Sequence, residues 1–327
     1  MTDVLRRRGP LLLRILVSAA LLAAVLAYAN VGEIARALRD GEWGWFALAL
    51  AVMGIAAVVG ALRWWLLLRS AEIDVSVRRA VQTFAASLLL NVVLPTSVGG
   101  DAARAWLVGR ESGRLIRAAT ATIADKATAV GCLFLVAWPV LVFDRDQVPS
   151  SVLAILFWVT VGLIAACGIA VAVAAGVRPV VRRLPERLAG TIREVWLTVR
   201  VWARSARLIG RVVSLGIVYQ VLALLSLVLV AWTVGVELSF PLAAAVAPIV
   251  IVATLMPISV GGLGVREGAF VLLLAEAGIS GAEATVISLL SVAVIALAGG
   301  AVIVISAAYD VLVPAAKTRQ VGRQPSA

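Results

Sequence analysis

Apolar runs long enough to cross a lipid bilayer recur along this chain of 327 residues. A membrane-spanning helix needs about 20 predominantly apolar residues, and Trp43–Leu66 and Ala284–Ala308 both reach that length. The composition agrees, since 62% of the residues are hydrophobic and only 14% are charged, against roughly half and a quarter in soluble domains. The sequence therefore predicts an all-α polytopic membrane protein.

The polar residues exclude several function classes. Histidine is absent, and Cys132 and Cys167 both lie in apolar runs, so the sequence indicates neither a metal site nor a disulfide framework. We find no phosphate-binding loop and no nucleophile elbow, and we expect no enzyme activity, no catalytic residue and no cofactor. The net charge of +11 comes almost wholly from arginine, which in such a protein marks cytoplasmic helix ends and attracts anionic lipid rather than nucleic acid.

Arginine clusters predict the direction in which each apolar run crosses the membrane, because positive residues concentrate on the cytoplasmic side. They predict a multi-pass protein of the cell (inner) membrane with both termini in the cytoplasm, and Arg63 is among the residues that mark the cytoplasmic side. The first run is long for a cleaved signal peptide, so we favour an uncleaved span over cleavage. The six predicted crossings are Leu11–Ala29, Trp43–Leu66, Ala118–Phe143, Val152–Val177, Val212–Val234 and Ala284–Ala308.

Two further apolar segments are interrupted in the middle. Residues 80–108 have arginines on both flanks, whereas residues 240–277 have acidic residues and no positive cluster. These charges predict two re-entrant helical hairpins that enter the membrane from opposite faces. The predicted organisation is a first half at residues 1–143, a second half at residues 144–312 and a cytoplasmic tail at residues 313–327.

The two interrupted segments repeat one another. The sequence PTSVGGDAAR at Pro95–Arg104 aligns without gaps on PISVGGLGVR at Pro257–Arg266, with six identities. Each predicted half contains three crossings and one hairpin, and an odd number of crossings inverts the second half relative to the first. Inverted repeats whose broken helices meet near the bilayer midplane are a transporter architecture.

The repeated motif has the chemistry of an anion site. Pro95 and Pro257 disfavour a continuous helix, and the glycines allow close backbone approach. We expect Asp101 to cap the helix that follows it, with Arg104 in the first turn beside unpaired amides that attract anions. The alternative is that the glycines are loops and the arginines topological anchors. The predicted substrate-binding residues are Arg104, Arg266, Ser97, Gly99, Gly100, Asp101, Ser259, Gly261, Gly262, Gly264 and Glu267.

Asp125 and Lys126 are a second candidate for function, about two turns inside a predicted span. Adjacent residues on a helix do not face each other, so each needs its own partner or exposure to a cavity. We predict a cavity charge or a coupling site here. The alternative for Lys126 is that it extends to the membrane surface.

Residues 182–211 form an amphipathic stretch. Such a pattern is typical of a helix on an anionic lipid surface; the alternatives are a topological anchor or a docking site for a partner enzyme. The apolar face is predicted to contain Leu184, Leu188, Ile192, Val195, Val199 and Trp202, and the basic face Arg193, Arg200, Arg204, Arg207 and Arg211.

The segments LPTSVGGDAARAWLVGR and MPISVGGLGVREGAFVLLL, together with ADKAT at Ala124–Thr128, resemble the transmembrane family of lysylphosphatidylglycerol synthases, also called flippase-like membrane proteins. The resemblance extends from about residue 10 to residue 312. It implies a bacterial or archaeal membrane protein, and the best-understood members of this family move an aminoacylated anionic phospholipid between leaflets. The family's soluble aminoacyltransferase domain finds no room before Ala327, so its synthase activity is not expected here.

The leading hypothesis is a translocator of an anionic or phosphate-bearing lipid, either a phospholipid or a polyprenyl-phosphate-linked sugar. We expect Arg104 and Arg266 to hold the phosphate between the hairpins. The alternatives are a non-transporting membrane scaffold for a lipid-modifying or glycan-assembly enzyme, and a transporter of small solutes.

Overall fold

The computed structural model describes residues 31–94, 98–176, 186–256, 259 and 262–312, and every regular element in these ranges is helical. The α-helices are α1 (Val31–Arg39), α2 (Trp43–Ser70), α3 (Val77–Val93), α4 (Gly99–Ser112), α5 (Leu115–Phe143), α6 (Ser150–Gly176), α7 (Glu186–Ala203), α8 (Ala206–Thr233), α9 (Phe240–Leu255), α10 (Val265–Ala275) and α11 (Gly281–Leu312). A short 3-10 turn at Arg145–Gln147 lies between α5 and α6.

Five of these helices are long and apolar enough to cross a membrane, namely α2, α5, α6, α8 and α11. They coincide with five of the six predicted crossings, and the first predicted crossing lies outside the described residues. The predicted class, an all-helical membrane protein, is confirmed for the described part of the chain. The exact arrangement of six crossings with two hairpins remains a prediction.

Each interrupted segment consists of two shorter helices that pack on each other, α3 with α4 and α9 with α10. α3 has 17 residues and α9 has 16, which is short for a spanning helix. Leu94 and Met256 follow these helices and directly precede a proline, and their backbones are extended with ψ of 145° and 131°. The proline ring disfavours helical geometry in the preceding residue, so the sequence itself ends both helices.

Corresponding helices of the two halves have matching positions along the chain. α2 begins at Trp43 and α8 begins at Ala206, whereas the two helices end at Ser70 and Thr233. The number of residues between the two starts equals the number between the two ends. The starts of α3 and α9 are separated by the same interval. The helices that precede each motif therefore repeat in position along the chain, while the motifs themselves repeat in sequence.

The counterpart helices α2 and α8 pack antiparallel along their length. The N–H of Glu42, just before α2, donates to the Thr233 carbonyl at the end of α8 over 2.8 Å. Farther along, the Ser226 hydroxyl donates to the Ala49 carbonyl over 3.0 Å, and the Arg63 guanidinium lies 5.2 Å from the Tyr219 ring centroid. An inverted repeat requires this antiparallel relation between its counterpart helices.

Residues 186–211, the described part of the amphipathic segment, are not one continuous helix, contrary to the sequence expectation. Leu184 lies outside the described residues. α7 ends at Ala203, and the Ser205 side chain accepts a hydrogen bond from the Leu208 N–H to cap α8. Arg207 and Arg211 therefore begin α8 instead of continuing the basic face of α7. Serine competes well for the cap position because its hydroxyl satisfies an amide that the new helix leaves unpaired.

Candidate functional site

A cavity of about 350 Å³ lies where the two hairpins meet helices α2, α5, α8 and α11. Most of its wall is apolar. Lys126 of α5 and Arg266 of α10 are the charged side chains among the described residues that line it. Its other polar lining groups are Asn91, Tyr219, Gln220, Ser226, Thr254 and Ser291.

The first hairpin reaches the cavity through Asn91, in the last turn of α3. The Asn91 Oδ1 atom accepts a hydrogen bond from the Gly100 N–H over 2.8 Å and so satisfies an amide at the start of α4. The two helices cross so closely there that a Cβ on Gly100 would lie 2.1 Å from the Ser87 carbonyl oxygen. The glycine is thus required by helix packing, and the amide is already occupied by a side chain.

Asp101 does not cap α4, because the helix begins two residues earlier, at Gly99. Its carboxylate instead joins two cations. The Oδ1 atom lies 2.9 Å from Arg104 Nη2, and the Oδ2 atom lies 3.0 Å from Lys126 Nζ. Asp101 thereby links the buried interior of the hairpin to the charged edge of the cavity.

Arg104 is buried behind the cavity wall and is not one of the residues that line it. Its Nη2 atom donates to Asp125 Oδ2 over 2.8 Å. The guanidinium is enclosed by two aromatic rings, with centroids 4.8 Å away for Trp64 and 4.7 Å for Phe84. Its Nε and Nη1 atoms have no hydrogen-bond partner among the described residues, and the ring faces are a favourable environment for a planar cation.

Asp125 is fully enclosed and is held by two arginines. Arg63 of α2 donates from Nε to Asp125 Oδ1 over 2.7 Å, opposite the contact with Arg104. The side chains of Arg63 and Asp125 are each only 2% exposed. Arg63 is therefore buried between α2, α5 and α8. Its assignment to the cytoplasmic side of the membrane stays a prediction.

Lys126 projects from a different side of α5 than Asp125 does, and it lines the cavity. Its side chain is 37% exposed, and its contact with Asp101 is the ion pair described above. Asp125 and Lys126 thus have separate partners, as their adjacent positions on one helix require. Of the two, only Lys126 presents its charge to the cavity.

The second hairpin presents Arg266 from the first turn of α10. Gly264 has a φ of 80°, and its N–H donates to Glu267 Oε2 over 2.6 Å. The other carboxylate oxygen accepts from Arg266 Nε over 3.1 Å and from the Ser288 hydroxyl over 3.4 Å. Glu267 is completely buried, so it fixes the position of Arg266, while the guanidinium keeps access to the cavity.

Some of the remaining predicted substrate-binding and helix-breaking residues lie in the described part of the chain, and others do not. Gly99 is the first residue of α4, and Gly262 has a φ of 79°, which favours glycine. The hydroxyl of Ser259 is buried and has no hydrogen-bond partner among the described residues. Four predicted residues lie outside the described residues: Pro95, Ser97, Pro257 and Gly261.

Asn91 and Gln220 are site residues that the sequence motifs do not single out. Gln220 lies near the middle of the spanning helix α8 and donates from Nε2 to the Ala129 carbonyl over 2.6 Å. An amide within an apolar span is a recognisable signal, because polar side chains at membrane depth need partners and mark cavities. The same argument applies to Asn91, which stands in an otherwise apolar helix end.

Over the described residues, the charges around the cavity leave one positive charge without a counter-ion. The first group has three cations, Arg63, Arg104 and Lys126, and two carboxylates, Asp101 and Asp125. In the second hairpin, Arg266 is matched by Glu267. An excess positive charge in a low-dielectric site favours occupation by an anion.

Comparison with known proteins assigns the chain to a family. Residues 11–309 match the family described as the lysylphosphatidylglycerol synthase TM region. The chain belongs to this family. It is also 25% identical over 308 residues to a UPF0104 membrane protein of Methanothermobacter thermautotrophicus, with 86% of this chain and 90% of the relative covered. The family resemblance drawn from the two motifs is thereby confirmed.

Proposed function

We propose that this protein translocates a lipid with a negatively charged phosphate group between the leaflets of its membrane. The observation that carries the proposal is the convergence of both repeated hairpins on one cavity whose charged lining groups, among the described residues, are Lys126 and Arg266. A cation from each half of the protein thus faces the same space, which is the arrangement that a shared anionic headgroup would use.

The size and lining of the cavity support a headgroup rather than a whole lipid. A volume of about 350 Å³ is at the lower end of the range for small-molecule sites, about 300–1,000 Å³. Lipid tails can stay in the bilayer while the headgroup occupies the cavity. Lys126 and Arg266 then hold the phosphate, and the apolar wall contacts the glycerol backbone and the upper part of the acyl chains.

The proposal changes the role predicted for Arg104. The two motifs predict that Arg104 and Arg266 together bind the phosphate. In our proposal Lys126 replaces Arg104 as the direct contact, because Arg104 is enclosed by Trp64, Phe84 and two carboxylates. Arg104 acts as a positioning residue that holds Asp101 in place, and Asp101 in turn holds Lys126.

Lipid that copurifies with the protein provides the test. The protein is purified in mild detergent, and bound lipid is extracted and quantified by mass spectrometry. We expect the wild type to retain phosphate-bearing lipid and the double variant Lys126→Gln, Arg266→Gln to lose it. Arg145→Gln is the matched control, because Arg145 is a 77% exposed arginine that does not line the cavity. Equal lipid retention by the double variant and the control would contradict the proposal.

One observation favours a second candidate, a scaffold for a membrane-bound enzyme. Ile192, Val195 and Val199 of α7 are 40%, 36% and 46% exposed, so much of its apolar face is uncovered. The helix is attached to the body through Glu194, whose Oε1 accepts from Arg117 Nε over 3.1 Å. Copurification of an enzyme through α7, combined with no lipid movement by the purified chain, would favour the scaffold over the translocator.

A further inference from the structure

We infer that three exposed arginines at one end of the molecule, each lying over a tryptophan ring, bind the phosphate groups of membrane phospholipids. They are Arg69, Arg110 and Arg200, which are basic residues in the last turns of α2, α4 and α7. None of them lines the cavity. These sites are therefore separate from the proposed transport site, and the inference does not depend on that site.

The same spacing recurs on three helices, with each arginine four residues after its tryptophan. The pairs are Trp65–Arg69, Trp106–Arg110 and Trp196–Arg200. The guanidinium carbon lies 5.2, 5.2 and 4.7 Å from the respective ring centroid. Residues four apart share a helix face, and helical side chains lean toward the start of the helix. Each charged group thus reaches back by about one turn, to the level of its tryptophan.

Ion pairs place the three pairs at the same end of the molecule. The N–H of Glu72 donates to the Arg69 carbonyl over 3.0 Å, and the Glu72 carboxylate binds Arg114, two residues after α4 ends. Arg117 binds both Glu72 and Glu194, which lies in the middle of α7. The ends of α2 and α4 therefore meet α7 around one carboxylate. This is the end that the arginine clusters predict to be cytoplasmic.

The three guanidinium groups keep their hydrogen-bond donors free. In the described part of the chain, Arg69, Arg110 and Arg200 have neither an ion pair nor a side-chain hydrogen bond. A carboxylate is available beside one of them, but Glu111 binds Arg79 instead. A guanidinium that lies over a ring face leaves the N–H donors along its edge open, and this planar fork matches the oxygens of a phosphate.

A simpler role for a basic residue in the last turn is to complement the helix dipole and the unpaired carbonyl groups. That role would direct the guanidinium toward the carbonyls at the helix end. In all three pairs it lies over a ring one turn earlier, and no hydrogen bond joins it to a carbonyl within the ranges that the structure describes. The dipole therefore does not account for the position of these groups.

The tryptophan rings identify the occupant as a lipid. Tryptophan is enriched at the membrane–water interface because its ring is apolar and its N–H is polar. Trp106 and Trp196 are about half exposed, and their indole N–H groups have no partner among the described residues. A phospholipid contacts the exposed ring with its acyl chains while its phosphate lies at the edge of the arginine. A free phosphate makes no use of the ring.

Counting bound lipids by native mass spectrometry tests the inference on the whole chain. The sites are open to the bilayer, so their lipids exchange with detergent during purification, and added phosphatidylglycerol is titrated back. We expect the triple variant Arg69→Gln, Arg110→Gln, Arg200→Gln to bind up to three fewer lipids per chain than the wild type. The cavity is intact in both proteins, so the difference arises outside it.

A second triple variant is the matched control for charge. Arg193→Gln, Arg204→Gln, Arg207→Gln removes three exposed arginines in and just after α7, which have no ring or carboxylate partner among the described residues. We expect it to bind as much phosphatidylglycerol as the wild type. Equal loss of lipid by the two triple variants would show that only total charge matters, and it would overturn the inference.

Two further comparisons separate the ring from the phosphate. Trp106→Leu keeps Arg110 but removes its ring, so we expect it to bind one lipid fewer than the wild type; unchanged binding would contradict the role of the ring. Diacylglycerol has the acyl chains without the phosphate, and its binding should be the same in the wild type and the first triple variant. Displacement of phosphatidylglycerol by glycerol 3-phosphate would identify a free phosphate as the ligand and overturn the assignment to lipid.

Discussion

At the level of single residues, the buried aspartate of α5 organises the first hairpin. Asp125 accepts from Arg63 and Arg104 on opposite oxygens, so three helices meet at one carboxylate. Burying these charges is tolerable only because each is paired, and removing one partner leaves the others uncompensated. The ion pairs thus fix the position of the hairpin more than they add to the stability of the fold.

We expect Asp125→Asn to destabilise the protein strongly. The amide keeps the shape of the carboxylate but leaves the buried Arg63 guanidinium without a counter-ion among the described residues, and leaves Arg104 with Asp101 alone. Such a loss costs about 3–5 kcal/mol. The free energy of unfolding in detergent, measured by chemical denaturation, checks this. Asp146→Asn is the matched control, because the Asp146 side chain is 99% exposed and its contact with Arg145 is 3.8 Å long. Similar stabilities of the two variants would show that the buried pairs do not hold the hairpin.

Part of this site could be predicted from the sequence. A charged side chain within an apolar span is a signal of function, and this signal singles out Asp125 and Lys126. Helix geometry requires these two adjacent residues to have different partners. The partner Arg63 is 62 residues away in sequence, and no local pattern links it to Asp125. The exclusion of Arg104 from the cavity wall depends on Trp64 and Phe84, which resemble ordinary apolar residues of their helices.

At the level of elements, a charged contact joins the α2–α3 turn to α5 and α7. Glu72 lies in this turn with a φ of 61°, and its carboxylate binds Arg117 and also Arg114, the latter over 3.2 Å. Arg117 in turn binds Glu194 of α7. The exposed arginine-rich helix is therefore tied to the membrane helices by one short chain of ion pairs.

The stability that Glu72 contributes should depend on pH with a definite sign. The hydrogen bond from Arg117, helped by the positive charge of that residue, lowers the pKa of the Glu72 carboxyl below its ordinary value of 4.5. A lowered folded-state pKa gives stability that is present above the unfolded-state value and is lost as the pH falls through the folded-state value.

We therefore expect wild type to be more stable than Glu72→Gln at neutral pH. The difference should persist down to about pH 4.5 and disappear below it. Thermal unfolding of both proteins between pH 7 and pH 3 measures it. Glu33→Gln is the control, because the Glu33 contact with Arg36 is 4.0 Å long and solvent-exposed. A stability difference that grew toward acidic pH would have the wrong sign for this contact.

Helix bounds could be predicted from the sequence where a strong local signal exists. The prolines at 95 and 257 end α3 and α9 just before them, because the preceding residue is forced out of helical geometry. The amphipathic stretch at residues 182–211 predicts one helix, because its arginine spacing continues past Ser205. The cap at Ser205 interrupts it, and a periodic pattern alone does not reveal such a cap.

At the level of the whole molecule, the antiparallel pair of α2 and α8 joins the two halves. The sequence repeat is visible only at the hairpin motifs, yet the helices before them are also separated by one constant interval along the chain. If transport rocks one half against the other, this pair is the surface at which the halves must move. The proposed site lies beside it, since Met53 of α2 and Leu224 of α8 both line the cavity.

We expect a covalent link across this pair to stop transport without preventing lipid capture. Cysteines at Ala49 and Ser226, which are in contact through a hydrogen bond of 3.0 Å, are joined by a short reducible thiol linker. Cys132 and Cys167 are first replaced by alanine. Translocation should fall on linking and return on reduction, while captured lipid stays constant. Transport that continues at full rate in the linked protein would contradict movement at this pair.

The central claim is that Lys126 and Arg266 together carry a lipid phosphate through the membrane. The most direct measurement is the rate at which labelled phosphatidylglycerol changes leaflet in proteoliposomes that contain the purified protein. The account predicts rapid transfer with the wild type and with Arg145→Gln. With Lys126→Gln, Arg266→Gln it predicts a rate at least about tenfold lower, the loss expected when an ion pair worth about 1.4 kcal/mol or more is removed. A double variant that folds stably and transfers lipid at the wild-type rate would contradict it.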